Sequence, residues 1–239
     1  MRLLKFVGKV LLVLIVMLGC IYILGKNISN AYSQEDYQSG KPSRIVPVTQ
    51  WAEQEVYADS LEYLYGRNKI IPTEYKNQIL LALAHYPELT NVNIEFIVEP
   101  SLIPIASRPK PSTIFHAKAN RWYCIVISND GLDEMEYALL ENLSFNAQIG
   151  VIGHELGHTL YYMDRSSSNL IGLALAYPFS KFQQKFEKET DLRTIDHGLG
   201  WQLLQWAEEI RKGESSEFLD SSYLTPAEIK KVMEISGRY

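Results

Sequence analysis

Residues 145–163 read FNAQIGVIGHELGHTLYYM, and this stretch decides how the rest of the chain is interpreted. Its apolar residues recur at helical spacing, at Ile149, Ile152, Leu156 and Leu160. That period predicts an amphipathic helix with one buried stripe. Ser144 stands directly before the stretch and is one of the residue types that cap helix N-termini. We therefore expect a helix over about 145–163 whose apolar face lies in the core.

Two glycines, Gly153 and Gly157, interrupt this predicted helix. A glycine in a helix interior is less favourable than alanine by about 1 kcal/mol. We therefore expect a neighbouring helix or strand to approach closely at these two positions.

The same stretch contains two of the chain's five histidines, His154 and His158, with Glu155 between them. A four-residue step brings two side chains to the same face of a helix, one turn apart. Both imidazoles can then bind a single Zn²⁺, while Glu155, rotated by about 100°, stays beside the metal. From there its carboxylate can take a proton from a water on the zinc and pass one to a leaving amine.

The pattern H-E-x-x-H would arise by chance in well under about 1% of chains with so few histidines. The competing interpretation is that both histidines are hydrogen-bonded structural residues on a buried helix. The pattern favours a hydrolase with Zn²⁺ as its cofactor and Glu155 as its base.

The pattern resembles the first motif of the zincin metallopeptidases, which complete their metal site in different ways. Metzincins continue as H-E-x-x-H-x-x-G-x-x-H, but this chain has Tyr161 in place of the glycine and Asp164 in place of the last histidine. Without that glycine the backbone does not easily turn to bring Asp164 to the metal, although Asp164 stays an alternative ligand. Gluzincins instead take a glutamate from a later helix, often within the pattern E-x-x-x-D.

Residues 186–191, FEKETD, are similar to that second motif. The resemblance implies Glu187 as the third zinc ligand, with Glu189 as an alternative; either could instead be a solvated charge on a helix face. Asp191 lies one turn after Glu187, where it can accept a hydrogen bond from a ligand imidazole and fix its tautomer. Membrane-associated peptidases of the prenyl-protein-processing type usually carry alanine before this aspartate, and Thr190 stands there here.

The resemblance covers roughly residues 144–200. Only 29 positions separate His158 from Glu187, which suits the compact minigluzincins and leaves no room for transmembrane helices between the two motifs. It implies an α+β fold, a mainly helical zincin-like domain with a small β-sheet. It also implies an enzyme that hydrolyses peptide bonds in a protein or peptide substrate.

Neither motif specifies the donor that stabilises the developing oxyanion of the scissile carbonyl. Our candidate is His197, within TIDHGLGW at 194–201; its competing interpretation is a structural histidine at a helix junction. Other donors close in sequence are Arg193, Tyr161 and Tyr162. Residues 122–128 are interpreted either as an edge strand that pairs with an extended peptide or as an ordinary core strand.

The remaining pattern predicts further helices and two strands. Helices are expected from a cap at Thr49 through about Tyr65, from Thr73 to near His85, and over about 178–192, 195–211 and 226–236. Alternating apolar residues predict strands at 93–99 and 121–128, separated by a proline-rich loop. Residues 169–179 are apolar but too short to cross a bilayer, so a buried helix is predicted there.

The N-terminal residues predict one transmembrane helix. An uninterrupted apolar run covers 10–25, with three basic residues before it and Lys26 after it. This distribution favours a single-pass anchor in the cell membrane, with everything after Lys26 exported from the cytoplasm. Two alternatives stay open: a cleaved signal peptide, and a lipoprotein signal that would leave lipid on Cys20.

The expected organisation is an anchor or signal segment at 1–26, a polar linker at 27–46 and the metallopeptidase domain at 47–239. Without residues 1–26, the chain has 19 basic and 28 acidic residues, a formal charge of −9. Such an acidic domain is a poor match for nucleic acid, so the expected partners are a protein or peptide substrate and the membrane.

Two other functions compete with a metallopeptidase. A peptide deformylase shares H-E-x-x-H but takes a cysteine as third ligand, and the only candidate here is Cys124. A catalytically silent zinc-containing binding or regulatory module is the second alternative. Glu155 argues against it, because a structural zinc site needs no base beside an open coordination position.

Overall fold

The computed structural model describes residues 2–32, 48–52, 58–130, 133–212 and 216–237. The described part is mainly helical and carries a small mixed sheet, as expected for an α+β protein. Its α-helices are α1 (Arg2–Tyr32), α2 (Ala58–Tyr65), α3 (Lys76–Ala84), α4 (Phe145–Met163), α5 (Ser167–Ala176), α6 (Ser180–Asp196), α7 (Gly200–Glu209), α8 (Ser216–Ser222) and α9 (Pro226–Ile235). Its strands are β1 (Lys69–Ile70), β2 (Asn93–Val98), β3 (Ile105–Pro109) and β4 (Trp122–Ile127).

The four strands form one sheet in the order β1-β2-β4-β3. The pairs β1–β2 and β2–β4 are parallel, whereas β3 runs antiparallel to β4. The two strands predicted from alternation, β2 and β4, are confirmed. Of the two interpretations of 122–128, the core strand is right, because β4 pairs on both sides; the edges of the described sheet are β1 and β3, and β3 lies inside the proline-rich loop.

Helix α4 lies at the centre of the domain and has the predicted bounds. The side chain of Ser144 caps it by accepting a hydrogen bond from the backbone N–H of Ala147. Ile149, Ile152 and Leu156 of the apolar stripe are buried and Leu160 is partly buried, and α3, α6, α7 and β3 all pack around this helix. A Cβ added at Gly157 would lie 3.1 Å from the Thr190 Cγ2 of α6, and one added at Gly153 would lie 2.5 Å from the Leu199 Cδ1 just before α7; one added at Gly150 would lie 2.2 Å from the Gln202 carbonyl oxygen of α7. The expected close approach of neighbouring helices is confirmed.

Two predicted helix boundaries need correction. Residues 48–52 are not helical, so no helix begins at Thr49. Instead, the backbone N–H and C=O of Trp51 pair with the side-chain amide of Asn146 on α4. The boundary between the helices predicted at 178–192 and 195–211 lies a few residues later, because α6 continues to Asp196 and α7 starts at Gly200. Between them Gly198 adopts a φ of 80°, a left-handed conformation that glycine accepts without strain.

By length and composition, helix α1 can cross a membrane. Its stretch Leu14–Tyr32 has a mean hydropathy of 1.4. A signal sequence near an N-terminus would pass the same test. The helix continues to Tyr32, and its last two turns pack on the domain, where Gly25 and Ser29 are buried. Residues 33–47, which include most of the predicted linker, lie outside the described residues. Helix α5, predicted as buried, has Leu170 in the core but leaves Ile171 40% exposed.

Candidate metal centre

Three potential metal ligands meet between α4 and α6. The Nε2 atoms of His154 and His158 lie 3.0 and 3.1 Å from Oε2 of Glu187. All three side chains are buried, and their ligand atoms lie within 4.8 Å of one another. Zinc ligands at about 2.0–2.2 Å from the ion are roughly 3.3–3.6 Å apart in a tetrahedral site. Both histidine–glutamate distances are therefore only a few tenths of an ångström shorter than the spacing of ligands around one ion.

A second layer of hydrogen bonds orients both imidazoles. Nδ1 of His154 donates to Oδ1 of Asp191 over 2.8 Å. Nδ1 of His158 lies 3.3 Å from Oγ1 of Thr190, whose hydroxyl donates to the Phe186 carbonyl and is therefore free to accept. With a proton on each Nδ1, both Nε2 lone pairs are directed toward Glu187. Thr190, which stands where the motif usually has alanine, therefore orients His158.

The charge of this cluster fits a bound cation. Glu187 and Asp191 are 2% and 0% exposed, and two buried carboxylates are costly unless positive charge lies between them. Burial lowers the pKa of His154, but its hydrogen bonds to both carboxylates outweigh that effect and raise the pKa to about 10. Burial also opposes ionisation of Glu187, and the two histidines nevertheless hold its pKa well below the usual range. A divalent metal ion supplies the same positive charge, and two imidazoles with one carboxylate are a donor set that suits zinc.

Glu155 lies beside these ligands without joining them. Its Oε2 accepts a hydrogen bond of 2.6 Å from the backbone N–H of Ser107 on β3. The Ser107 hydroxyl pairs with that of Thr159, so β3 is held against α4 at this point. Burial raises the pKa of Glu155, the direction that favours a proton acceptor working near neutral pH.

Two cavities flank Glu155 and make the cluster accessible. One, of about 330 Å³, lies between β3 and α5 and also reaches His158 and Glu187. The other, of about 280 Å³, reaches His154 from the opposite side. Tyr223 lines both cavities, and within the described residues its hydroxyl has no hydrogen-bond partner.

Three of the alternative ligand candidates lie away from the cluster, whereas Tyr162, a candidate donor, lines the 330 Å³ cavity beside His158. Glu189 points away from the cluster toward Tyr32 and Arg193, and Asp164 is exposed at the end of α4. Cys124 is buried in β4 and is absent from the ligand cluster found among the described residues. Of the four candidate third ligands, only Glu187 reaches the histidines.

His197, the predicted oxyanion donor, lines neither of the two cavities described above. Its ring stacks on Tyr86 at 4.3 Å, and its Nδ1 donates to the Arg193 carbonyl. Its own carbonyl accepts a hydrogen bond from the buried His85. The structure therefore places His197 at the α6–α7 junction, away from the three ligands, and the donor role predicted for it needs correction. The alternative interpretation, a structural histidine at a helix junction, fits this placement.

No protein-family model, curated protein or solved structure matches the chain. The chemistry inferred for the site therefore depends on the positions of its own side chains.

Three residues at the site were missed from the sequence. The Tyr177 hydroxyl donates to Oε1 of Glu187 over 2.7 Å, Ser107 holds Glu155, and Tyr223 stands between the cavities. Asp191, which accepts a hydrogen bond from His154, also holds the backbone next to Tyr223. Its Oδ2 accepts the backbone N–H of Leu224 over 2.8 Å. None of the three belongs to a spacing pattern that could have singled it out.

Proposed function

We propose that the protein is a zinc metallopeptidase of the gluzincin type, with a zincin-like domain. One observation carries the proposal: His154, His158 and Glu187 bring three buried ligand atoms together beside a further side chain, the carboxylate of Glu155, that binds none of them. A structural zinc site has no use for such a carboxylate or for open cavities beside the metal.

Each residue has a role in peptide hydrolysis. A zinc ion held by His154, His158 and Glu187 would lower the pKa of a water and polarise the scissile carbonyl. Glu155 accepts the proton of the attacking water and passes it to the leaving amine, and the Ser107 N–H keeps its carboxylate in place meanwhile. The unpaired hydroxyl of Tyr223 is the donor best placed to stabilise negative charge on the carbonyl oxygen.

The free edge of β3 supports an extended peptide substrate. Ladder hydrogen bonds alternate along an antiparallel pair, and here Pro104 and Lys110 bond to the strand β4 side. The backbone groups of Ile105 and Ser107 consequently point away from β4, toward the cleft; the Ser107 N–H is held by Glu155, which leaves the Ser107 carbonyl and the backbone of Ile105 to pair with a peptide. A peptide can pair with this edge, and the apolar lining from Ile103, Leu170 and Leu173 favours a bulky apolar side chain next to the cleaved bond.

The membrane assignment rests on α1. We propose that it anchors the protein as a single-pass helix and that the peptidase domain is extracytoplasmic, because basic residues lie before the apolar run. Lipid attachment at Cys20 is the alternative form of anchoring.

Zinc analysis of the purified full-length protein tests the metal site. We expect about one zinc per chain in the wild type and a large loss in Glu187→Gln. Glu189→Gln is the matched control, since this glutamate lies on the same helix and is also buried, yet faces Tyr32. A metal-free wild type, or equal zinc loss in both variants, would contradict the assignment.

Hydrolysis of a fluorogenic peptide library tests the activity. Glu155→Gln keeps the three ligands, so we expect it to retain zinc while its cleavage rate falls by about 10²–10⁴-fold. If the variant cleaves as fast as the wild type, the metallopeptidase mechanism is refuted. If neither protein cleaves any peptide although both bind zinc, the silent binding module becomes the better description.

A further inference from the structure

The membrane end of α1 can be placed from its sequence. Its uninterrupted apolar run covers residues 10–25 and is followed by Lys26. Sixteen residues of helix reach only about 24 Å, less than the roughly 30 Å of a hydrocarbon core. If α1 spans the membrane, the whole run is therefore needed to cross the hydrocarbon region, and its last residues before Lys26 lie where that region meets the interface. The side chains of the described stretch from Leu14 to Leu24 are exposed on the protein, as a lipid-facing helix requires.

Helix α5 runs antiparallel to the end of α1 and in direct contact with it. The rings of Tyr22 and Phe179 lie 5.3 Å apart between centroids. A Cβ added at Gly25 would lie 2.3 Å from the Leu175 carbonyl oxygen, and one added at Gly172 would lie 3.1 Å from Ile28. Each step along α1 toward the membrane thus corresponds to a step toward the C-terminal end of α5.

This pairing sets the height of the turn that follows α5. Since Phe179 is level with Tyr22 and Leu175 with Gly25, Tyr177 and Pro178 are level with the last residues of the apolar run. The whole segment from 166 to 180 contains no charged residue. An uncharged turn with exposed apolar side chains can enter the interfacial region of a bilayer without burying a charge.

The same helix forms a wall of the cleft. Leu173, Ala174 and Tyr177 line the 330 Å³ cavity on one face of α5, while Gly172 and Leu175 contact α1 on the other. Tyr177 is 37% exposed and donates its hydroxyl to Glu187. A single helix therefore separates the anchor from the cavity, and one hydrogen bond joins its membrane end to a metal ligand.

We propose that this cavity opens at the membrane surface and that the substrate is a polypeptide anchored in the same membrane, bound through the segment next to its own anchor. This inference rests on the proposed peptidase function and deepens it. Anchoring enzyme and substrate in one bilayer raises their effective concentration, and the apolar cavity receives side chains that already lie near the lipid.

Lipid quenching tests the position of the cavity without using activity. The full-length protein in nanodiscs, with Cys20→Ala, carries a fluorophore on Pro178→Cys or, as matched control, on Asn169→Cys at the opposite end of α5. Both positions are exposed, and the remaining Cys124 is buried. Spin-labelled lipids should quench the fluorophore at 178 at least about twofold more than at 169, since some 13 Å of helix separates them. Equal quenching, or none at 178, would overturn the proposal; zinc content checks that each variant is folded.

Anchored substrates test the substrate class. Single-span test proteins carry one cleavable apolar sequence either about four residues from their span or on a helical spacer of about thirty residues, roughly 45 Å above the membrane. In liposomes with the wild-type protein, we expect the near sequence to be cleaved at least about tenfold faster than the far one or a soluble peptide. Equal rates for all three would refute a membrane-anchored substrate. If Glu155→Gln cleaved as well, the peptidase function itself would fail, whereas the quenching result would still report the height of the cavity.

Discussion

Replacing Asp191 by asparagine removes one acceptor from a carboxylate that serves two donors. Oδ1 accepts the Nδ1–H of His154 and Oδ2 accepts the N–H of Leu224, each over 2.8 Å. An asparagine side chain offers one oxygen and one NH₂ group, so one of the two donors must face another donor. Asp191 is fully buried, and a buried donor without an acceptor costs about 1–3 kcal/mol.

The expected loss of zinc affinity follows from both orientations of the new amide. If its oxygen faces His154, the hydrogen bond loses the charge of the carboxylate and becomes roughly half as strong. If the NH₂ group faces His154 instead, the imidazole loses its acceptor and its fixed tautomer. We expect the zinc Kd of Asp191→Asn to rise about 10–100-fold, equivalent to about 1.4–2.7 kcal/mol.

Competition with a fluorescent zinc chelator at neutral pH measures this effect on the full-length protein. Glu189→Gln on the same helix is the control, because its carboxylate contacts Tyr32 and Arg193 and not His154. Its zinc affinity should stay within about threefold of the wild type. Wild-type affinity in Asp191→Asn would show that this carboxylate does not orient His154.

Three further predictions concern other parts of the domain. Tyr223→Phe should lower kcat about 10²–10³-fold with little change in KM, and unchanged kcat would remove this hydroxyl from the mechanism. Gly150→Ala should lower the free energy of unfolding by about 1–3 kcal/mol, measured by denaturant titration, because its Cβ would lie 2.2 Å from the backbone oxygen of Gln202; Gly157→Ala, with 3.1 Å to a side-chain methyl, should cost less. Burial lowers the pKa of His85, so the unfolded chain binds a proton more readily and stability should fall as pH drops below about 6.5. His85→Gln should make that decline shallower, and an identical pH profile would contradict the assignment.

The elements predicted most accurately from the sequence are those that depend on a local residue pattern. Helix α4 combines a cap at Ser144 with a long apolar stripe, and both signals are independent of the rest of the chain. One helix also fixes the relation between His154 and His158. Glu187 required the resemblance to a second motif, since nothing in residues 159–186 indicates that α6 returns to the same point.

Predictions from local sequence failed where contacts between distant segments determine the structure. Thr49 has the properties of a helix cap, but the backbone of Trp51 finds its hydrogen bonds on Asn146, 95 positions away. The strand β3 lies among prolines and has no alternating pattern, so the sequence offered only the more apolar β4 as a candidate edge strand and left its place in the sheet open. Tyr223 reaches the cleft because Asp191 holds the adjacent backbone, a contact that no spacing rule describes.

Helix α6 contacts both α1 and the candidate metal centre through three acidic residues that stand at every second position. Glu187 and Asp191 share one face and hold the histidine cluster, while Glu189, on the other side of the helix, accepts a hydrogen bond from Tyr32 at the end of α1. The aromatic rings of Tyr32 and Phe186 pack at the same junction. A displacement of α1 relative to the domain therefore acts directly on the helix that carries Glu187. Because of this, the last two turns of α1 belong structurally to the domain that α6 supports.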